Sequence, residues 1–404
     1  MKVSRVFVLI GIVLGFLGFV FVVRDHVAFG VRIAAALGKV VPGIPDSVLA
    51  LGPAPHVTTL TYTTRDGFEL QADIYEPVRS DLSPAVILVN GVEPEGRSYP
   101  PLVELADGLS RAGFVVLVPD AIDYENYRVL PQDVGALVRG FQILGRRNTV
   151  DMDRIGFVGF SMGGSLALIA AADKEIADEV QMVAAVGSYF SLEAMIQAVT
   201  TKTVQTAHGN EFYEPDDYVW LITRNTLLSQ VRDSDDRAAL FRVFSLPSPQ
   251  PNPEANQTFD PKGLGEQARS VYAMLINRDP DLVGPLVSTV RAVMPDVFES
   301  LSPKYHLNNL RIPVALLHDR NDPYVPVQES NRTFDRVGGF PGARLEILDV
   351  LQHAELAAPD FSPPVLFGSY IPEMWKLFRF VFDSLHALAG DPQVARSGGL
   401  APTA

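Results

Sequence analysis

A serine, a carboxylate and a histidine occur in this sequence in an order and in local settings suited to nucleophilic catalysis. Ser161 lies in a G-x-S-x-G motif, Gly159 to Gly163, between an apolar run of strand length and an Ala- and Leu-rich run that predicts a helix. A sharp strand-to-helix turn exposes the hydroxyl and directs free helix N–H groups toward developing negative charge. Gly159 and Gly163 remove two side chains that would collide there. We predict that Ser161 is a nucleophile; the alternative is a tight turn with a small residue at its tip.

The carboxylate is expected after a strand predicted over Ile312 to His318. A serine nucleophile needs an imidazole base, and the imidazole needs a carboxylate that fixes its tautomer. Asp319 and Asp322 both follow the strand, so either would emerge at its carboxyl end. Asp322 is preferred, because a loop position can turn back over the sheet and Pro323 fixes the chain after it. Asp319 is the alternative acid, and a helix N-cap is the alternative role for Asp322.

His353 is the predicted base. It lies in a polar turn between a strand predicted over Arg344 to Leu348 and the last helix, the position that the chain order of serine, acid and histidine requires. The alternative is an ordinary surface-loop histidine. Of the other six histidines, His26 and His56 precede the fold, and His208 and His306 lie in the cap region predicted below. His318 lies inside a strand, and His386 lies in the final helix.

Two backbone groups are predicted to bind the oxyanion of a tetrahedral intermediate, which needs preorganised donors. The N–H of Met162, the residue after the nucleophile, is one. The second is expected within Gly91-Val92-Glu93, the loop after the strand predicted over Ala85 to Asn90, and we assign it to Val92. Since only a backbone N–H is required, the side chain carries little information at this position.

Alternating strands and helices must position these residues. A hairpin is predicted around Asp66-Gly67, from Val57 to Tyr75. Apolar runs then predict buried strands at Ala85–Asn90, Phe114–Pro119, Ile155–Phe160, Val180–Val186, Ile312–His318 and Arg344–Leu348. Helical patterns occur at Pro101–Ala112, Pro131–Arg146, Ser165–Ala172 and Tyr370–Ala389. The sequence therefore predicts an α/β fold, a mostly parallel twisted sheet with helices on both faces.

Residues 189–309 interrupt this alternation, because no strand pattern occurs there. Helix-like segments do, at Leu192–Val199, Asp217–Val231, Asp236–Phe244 and Gly265–Leu275. An interval of this length needs structure of its own, so we predict a helical cap inserted over the carboxyl ends of the strands; a disordered insert is the alternative. The core then consists of residues 56–188 and 310–390, preceded by a juxtamembrane segment and linker at 27–55 and followed by a disordered tail at 391–404.

The first 26 residues predict a membrane anchor. Lys2 and Arg5 precede Val6–Val23, eighteen apolar residues, and Arg24 ends the run. That length suffices to span a bilayer and exceeds a usual signal-peptide core. A cleaved signal peptide, with Ala34 to Ala36 as the small-residue site, is the alternative. The positive-inside rule does not determine the orientation, since basic residues lie on both sides.

Charge and composition exclude several classes of function. The formal net charge of −14 argues against nucleic-acid binding, which needs a basic face. The chain has no cysteine, which excludes disulfides, thiolate metal sites and a cysteine nucleophile. Neither a metal-ligand cluster nor a nucleotide-binding loop is recognisable, so we predict no cofactor. The oligomeric state is left open.

The chain resembles the α/β-hydrolase superfamily, nearest to dienelactone-hydrolase-like and S9-peptidase-like serine hydrolases. The matching stretches are Val150–Gly164, His318–Pro326 and Gln352-His353, and the resemblance covers about Val57 to Ala389. The family pattern His-Gly-x-x-Asp again selects Asp322. Two departures occur: Asn90-Gly91 replaces the usual His-Gly before the oxyanion residue, and Asp319 replaces the usual Gly after His318.

This resemblance implies a serine hydrolase. We expect it to cleave a small-molecule carboxylic ester through an acyl-enzyme on Ser161, Asp322 and His353, with lipid-like acyl esters suggested by the cap and the anchor. The alternatives are a peptidase, amidase or acyltransferase that uses the same triad, and a non-catalytic, membrane-tethered binding protein.

Overall fold

An eight-stranded sheet forms the centre of a computed structural model that describes residues 26–40, 51–79, 81–246, 251–353, 355–356, 368 and 370–390. The strands in chain order are β1 His56–Thr63, β2 Glu69–Glu76, β3 Ser83–Val89, β4 Val115–Pro119, β5 Val150–Phe160, β6 Val180–Val186, β7 Thr203–Thr206, β8 Gly209–Phe212, β9 Val314–Asp319, β10 Arg344–Leu348, β11 Leu351–Gln352 and β12 Glu355–Leu356.

The sheet is mostly parallel, as predicted. Its order is β1-β2-β4-β3-β5-β6-β9-β10. β1 and β2 form the expected antiparallel hairpin, with Leu60 opposite Ala72, and β2 also pairs antiparallel with β4. All other neighbours in this sheet are parallel. Every residue of β3 is buried, which explains why its sequence is a continuous apolar run instead of an alternating one.

Helices cover both faces of the sheet. The α-helices are α1 at 26–38, α2 Pro100–Ala112, α3 Gln132–Gly145, α4 Met162–Ala171, α5 Leu192–Thr201, α6 Asp217–Ser229, α7 Ser234–Val243, α8 Pro253–Gln257, α9 Glu266–Ile276, α10 Val283–Val293, α11 Pro295–Ser300, α12 Val327–Val337 and α13 Ile371–Ala389. One face, the α3–α4 face, packs against α3 and α4. The other, the α2–α13 face, packs against α1, α2 and α13. This is the predicted α/β architecture.

The segment between β6 and β9, here called the insert, carries α5 to α11. It contains one feature that the sequence did not predict, the antiparallel hairpin β7–β8, in which Thr203 pairs with Phe212. These strands have four residues each and are largely exposed, so they carry no apolar alternation to detect. Trp220, Phe244 and Phe298 are fully buried and belong to the same hydrophobic cluster as the α3–α4 face, so the insert extends that core.

Helix α1, in the segment predicted to be juxtamembrane, packs against the hydrolase core. In α1, Ile33 and Ala36 are buried against the α2–α13 face, and Lys39 just beyond it pairs with Glu104 and Asp107 of α2 at 2.8 and 2.7 Å. The predicted anchor at Val6–Val23 and the predicted tail at 391–404 lie outside the described residues. Among the residues that are described, no helix is long and apolar enough to cross a membrane.

Candidate active site

Ser161 lies at the turn between the central strand β5 and helix α4. Its backbone dihedrals are φ 52° and ψ −127°, a conformation that non-glycine residues rarely adopt. Strained backbone conformations of this kind cluster at functional sites. The turn is held by the Ser161 N–H, which donates to the carbonyl oxygen of Val186 at 2.7 Å. The hydroxyl is thereby fixed at the carboxyl end of the sheet, in the cavity described below.

The two glycines of the motif are required by close backbone contacts. A Cβ atom added at Gly163 would lie 2.0 Å from the carbonyl oxygen of Asn90. At Gly159 the added atom would lie 2.6 Å from the carbonyl oxygen of Gly163 and from the Cα of Gly164. No side chain fits at either position, which agrees with the steric interpretation of the sequence motif.

Asp322 and His353 form a buried acid–base pair. The imidazole Nδ1 lies 2.6 Å from Asp322 Oδ2. The other carboxylate oxygen accepts the backbone N–H groups of Tyr324 and Val325 at 2.7 and 2.9 Å, so the carboxylate is fixed in orientation. Although burial opposes ionisation, the charge and hydrogen bond of His353 hold the pKa of Asp322 below its ordinary value. The carboxylate can therefore fix the tautomer and stabilise the imidazolium.

Asp319, the alternative acid, has a different position. Its carboxylate accepts the backbone N–H groups of Asn321 and His353, not the imidazole. Burial raises its pKa, and the neighbouring Asp322 raises it further. His353 itself adopts a positive φ of 62°, and the ring of Tyr324 lies 4.8 Å from the imidazole, centroid to centroid. Asp319 thus holds the backbone of the base while Asp322 holds its ring.

His318 is a core residue, as its position inside a strand suggested. It is 0% exposed. Its Nδ1 lies 2.6 Å from Ser330 Oγ and its Nε2 lies 2.8 Å from the carbonyl oxygen of Val325. Burial lowers the pKa of His318, so its imidazole stays neutral near pH 7. Its contact with the carbonyl oxygen of Val325 holds the loop that carries Asp322.

Ser161 and His353 both lie beside the end of β6. The Ser161 N–H is bonded to Val186, and a Cβ atom added at the next residue, Gly187, would lie 3.0 and 3.1 Å from Cε1 and Nδ1 of the imidazole. Both side chains line one cavity. In the described part of the chain no hydrogen bond joins the Ser161 hydroxyl to the imidazole; such catalytic hydrogen bonds are commonly long in free enzymes and tighten with substrate.

The two residues predicted to donate to the oxyanion, Met162 and Val92, line the same cavity as Ser161. Met162 is the first residue of α4, where a helix leaves its N–H groups without intrahelical partners. The loop with Val92 packs directly on the serine, since a Cβ atom added at Gly91 would lie 3.8 Å from Ser161 Oγ. The carbonyl oxygen of Val92 accepts the hydroxyl of Tyr218 from the insert.

Three tyrosines complete the surroundings, and sequence reasoning missed all of them. Tyr218 holds the Val92 loop, Tyr213 donates its hydroxyl to the carbonyl oxygen of Asp322 at 3.0 Å, and Tyr324 lies against the imidazole. Burial raises the pKa of Tyr213 and Tyr218, so both hydroxyls stay protonated and can donate. Tyr324 could have been suspected from its place two residues after Asp322, whereas the other two come from the insert without a local signal.

A single cavity of about 710 Å³ contains the site, within the ~300–1,000 Å³ usual for small-molecule pockets. Its lining includes Asn90, Val92, Ser161, Met162 and His353. The described residues include no group of three or more His, Asp or Glu side chains placed to hold a metal ion. The arrangement is suited to attack by a serine oxygen, with transfer of its proton to an imidazole.

Comparison with known proteins relates the chain to others by fold. No family model and no curated protein sequence matches it. Solved structures do match. An acylaminoacyl peptidase bound to a peptide chloromethyl ketone is 13% identical, with a TM-score of 0.50 over 83% of this chain and 42% of that chain. The uncomplexed acylaminoacyl peptidase of Pyrococcus horikoshii is 14% identical, with a TM-score of 0.50 over 85% of this chain and 43% of that chain.

A dienelactone hydrolase from Anabaena variabilis is 13% identical, with a TM-score of 0.42 over 83% of this chain and 98% of that chain. The chain spans less than half the length of the acylaminoacyl peptidases that it matches. At these identities the likeness to the acylaminoacyl peptidases concerns the fold alone.

Proposed function

We propose, from the α/β-hydrolase fold of this chain and the contacts around Ser161, that the protein is a serine hydrolase that cleaves carboxylic esters. The observation that carries the proposal is the 2.6 Å contact between His353 Nδ1 and the buried Asp322, because His353 lines the same cavity as Ser161 in its strained turn. A buried carboxylate that fixes an imidazole beside a serine is the arrangement that serine acyl transfer requires.

In the first half-reaction the Ser161 oxygen attacks the ester carbonyl carbon while His353 Nε2 accepts the hydroxyl proton. The N–H groups of Met162 and Val92 stabilise the oxyanion, and Asp322 stabilises the imidazolium. The carbon–oxygen bond to the alcohol then breaks, and His353 returns the proton to the departing oxygen. The products of this half-reaction are the free alcohol and an acyl group on Ser161.

In the second half-reaction a water molecule replaces the alcohol. His353 accepts a proton from the water as its oxygen attacks the acyl carbon, and the same two N–H groups hold the oxyanion. The bond to Ser161 breaks, the serine recovers its proton from His353, and the carboxylic acid leaves.

The test compares p-nitrophenyl acetate and p-nitroacetanilide, which share an acyl group and differ in the bond cleaved. We expect the wild type to release p-nitrophenol from the ester faster than p-nitroaniline from the anilide. Ser161→Ala should lower ester turnover by roughly three orders of magnitude or more. Faster anilide cleavage would indicate an amidase or peptidase, and equal ester rates in wild type and Ser161→Ala would indicate a binding protein.

A membrane location is a separate proposal and is supported by the sequence. We propose that Val6–Val23 anchors the protein, because eighteen apolar residues between Arg5 and Arg24 are sufficient to span a bilayer. Alkaline carbonate should leave the full chain in the membrane pellet and release a variant that lacks residues 1–25. Release of both would contradict the anchor, and a mature chain beginning after Ala36 would indicate a cleaved signal peptide.

A further inference from the structure

The side chains that line the cavity around Ser161 fall into two groups, one on the α2–α13 face and one from the insert. We propose that the part of the cavity on the α2–α13 face, here called the acyl arm, binds the acyl chain of the substrate and selects long, flexible, apolar acyl groups. This inference rests on the ester hydrolysis proposed above and adds the substrate class. It is carried by the position, the lining and the length of the arm.

The acyl arm begins at Ser161 and descends between the sheet and the helices. Its floor is formed by strand residues that point to the α2–α13 face, and its opposite wall by α1, α2 and α13. The described residues that line it are Leu37, Val40, Tyr99, Pro101, Leu102, Leu105, Leu109, Val158, Phe160, Ala184, Val186, Leu317, Leu351, Leu377, Phe380, Val381, Ser384 and Leu385.

The arm offers little for a polar group to bind. Sixteen of those eighteen side chains are apolar, the exceptions being Tyr99 and Ser384. The Ser384 hydroxyl already donates to the carbonyl oxygen of Phe380 at 2.7 Å and accepts from Arg344, and Tyr99 has an interaction partner too. A polar substituent placed here would lose its hydrogen bonds to water without replacement, whereas methylene groups gain by leaving water.

The length of the arm favours a chain over a compact acyl group. Val158 lies three residues before Ser161 in β5, so at the usual strand rise the floor extends about 10 Å below the nucleophile. On the opposite wall, Leu377 and Leu385 of α13 are eight residues apart, about 12 Å along a helix. An acetyl group would leave most of this depth unused.

The second arm, under the insert, is more polar and is suited to the rest of the substrate. Four polar residues line it, Asp216, Tyr218, Thr223 and Thr226, a larger share than in the acyl arm. Five apolar residues of the insert also line it: Leu192, Met195, Val219, Ile222 and Leu301. Two of the polar groups have structural partners, since Asp216 accepts the N–H of Tyr218 at 2.8 Å and Thr226 accepts that of Val129 at 3.1 Å. The contrast places an apolar chain on the α2–α13 side and the leaving alcohol on the insert side.

The closing wall of the acyl arm is formed partly by α1. Leu37 lines the arm, and Ala36 packs so closely on α2 that a Cβ atom added at Gly108 would lie 2.8 Å from its Cα. The Lys39 ion pairs with Glu104 and Asp107 fix the same end of α1. Residues that precede the hydrolase strands therefore contribute to the pocket that would hold the chain.

The first test is a series of p-nitrophenyl esters from acetate through butyrate and hexanoate to octanoate, with the full-length protein. We expect kcat/KM to rise about fourfold for each methylene that enters the arm, on the order of a hundredfold from butyrate to octanoate. Cleavage of the acetate ester with a flat or falling series would overturn the acyl-arm proposal and leave the ester hydrolase standing.

Variants then locate the selectivity. Ala184→Leu adds bulk to the arm floor, and we expect the ratio of kcat/KM for octanoate to that for acetate to fall at least tenfold; Leu105→Phe narrows the same arm from α2 if the first variant does not fold. Val219→Phe adds bulk on the insert side as the matched control and should keep the wild-type ratio. If only Val219→Phe lowers the octanoate-to-acetate ratio of kcat/KM, the acyl chain of the substrate binds on the insert side, and the proposal is overturned.

A binding measurement separates this inference from the catalytic one. Octanoate and acetate are titrated calorimetrically into Ser161→Ala, which cannot form an acyl-enzyme. We expect octanoate to bind at least tenfold more tightly than acetate, and Ala184→Leu in that background to remove the difference. If no ester is cleaved by the wild type but octanoate binds selectively, the hydrolase proposal fails and the acyl arm stands. Equal binding of the two acids would overturn the acyl arm.

Discussion

Leu316 and Leu317 are neighbours in β9, and both are buried, at 0% and 2% exposure, yet they face opposite sides of the sheet. Leu316 belongs to the core of the α3–α4 face. Leu317 belongs to the core of the α2–α13 face and also lines the cavity that contains Ser161. Burial from water is therefore the same for the two side chains, but Leu317 borders the cavity and Leu316 does not.

This difference shows how one sheet serves both stability and a binding site. On the α3–α4 face, aromatic rings such as those of Phe141 and Phe157 stack with centroids 5.8 Å apart. On the α2–α13 face, Ala184 and Leu317 border the cavity that contains Ser161. A buried face that borders a cavity can admit a substrate, and the loss of packing there is offset by the packing of the opposite face.

The largest expected effect is on the α3–α4 face. Leu316→Ala should lower the free energy of unfolding by about 4–5 kcal/mol, the upper part of the usual range, because it creates a new void. Leu317→Ala should cost about 2–3 kcal/mol, since its side chain already borders empty space and has fewer contacts to lose. Urea unfolding followed by far-ultraviolet circular dichroism measures both. Equal costs would remove the distinction between the faces.

The second prediction concerns buried carboxylates. Burial raises the pKa of Asp133, on α3, to about 6, although it accepts the N–H groups of Ile122 and Leu130. A folded-state pKa above the ordinary value of 3.8 means that its contribution to stability is complete below pH 3.8 and is lost as the pH rises through 6. Between about pH 4 and 7 the loss should be on the order of 2–3 kcal/mol.

Asp133→Asn should remove this part of the pH dependence, measured by urea unfolding at pH 4 and 7. Asp107, on α2, is the matched control. Although burial acts in the opposite direction, hydrogen bonds to Arg111 and Lys39 hold its pKa below the ordinary value. Its contribution is present above the unfolded-state pKa and is lost only as the pH falls through the lower folded-state value. Asp107→Asn should therefore keep the wild-type difference between pH 4 and 7, and a loss there would contradict the assignment.

The smallest expected effect concerns two helix glycines. Replacing each by alanine should change the free energy of unfolding, but in opposite directions. Gly140, on α3, has room for a Cβ atom, whose nearest neighbour would be Leu117 Cδ2 at 3.6 Å. Gly140→Ala should stabilise by up to about 1 kcal/mol through helix propensity. Gly108→Ala should instead destabilise by about 1–2 kcal/mol, because the added atom meets the backbone of Ala36.

Thermal unfolding measures both glycine changes. Limited proteolysis gives a separate readout, because Gly108→Ala should increase cleavage in α1 and Gly140→Ala should not. Stabilisation by both substitutions would mean that α1 does not pack against α2 in solution.

The sequence predicts those parts of the fold and site that depend on local pattern. The buried strands are apolar runs, and the turn at Ser161 needs Gly159 and Gly163, so both are readable along the chain. The positions of Asp322 and His353 at strand ends follow from strand order, and the structure brings the two side chains together. The roles of Ser161, Asp322, His353, Met162 and Val92 in catalysis stay predictions.

What the sequence could not predict depends on contacts between distant segments. The hydroxyl of Tyr218 reaches Val92 across 126 residues, and no local rule relates them. The packing of α1 is equally nonlocal, since its apolar residues are compatible with either a membrane or a protein surface. Only the close contact between Ala36 and Gly108 in the structure distinguishes the two. The short hairpin β7–β8 is largely exposed and leaves no hydrophobic pattern.

The most direct test of the central claim is mass spectrometry of the full-length protein after reaction with a fluorophosphonate at pH 7. We expect one adduct, located on Ser161, and a labelling rate that falls at least a hundredfold in His353→Ala, because the hydroxyl then has no base. A wild type that stays unlabelled, or a His353→Ala variant that is labelled at Ser161 as fast as the wild type, would contradict the account.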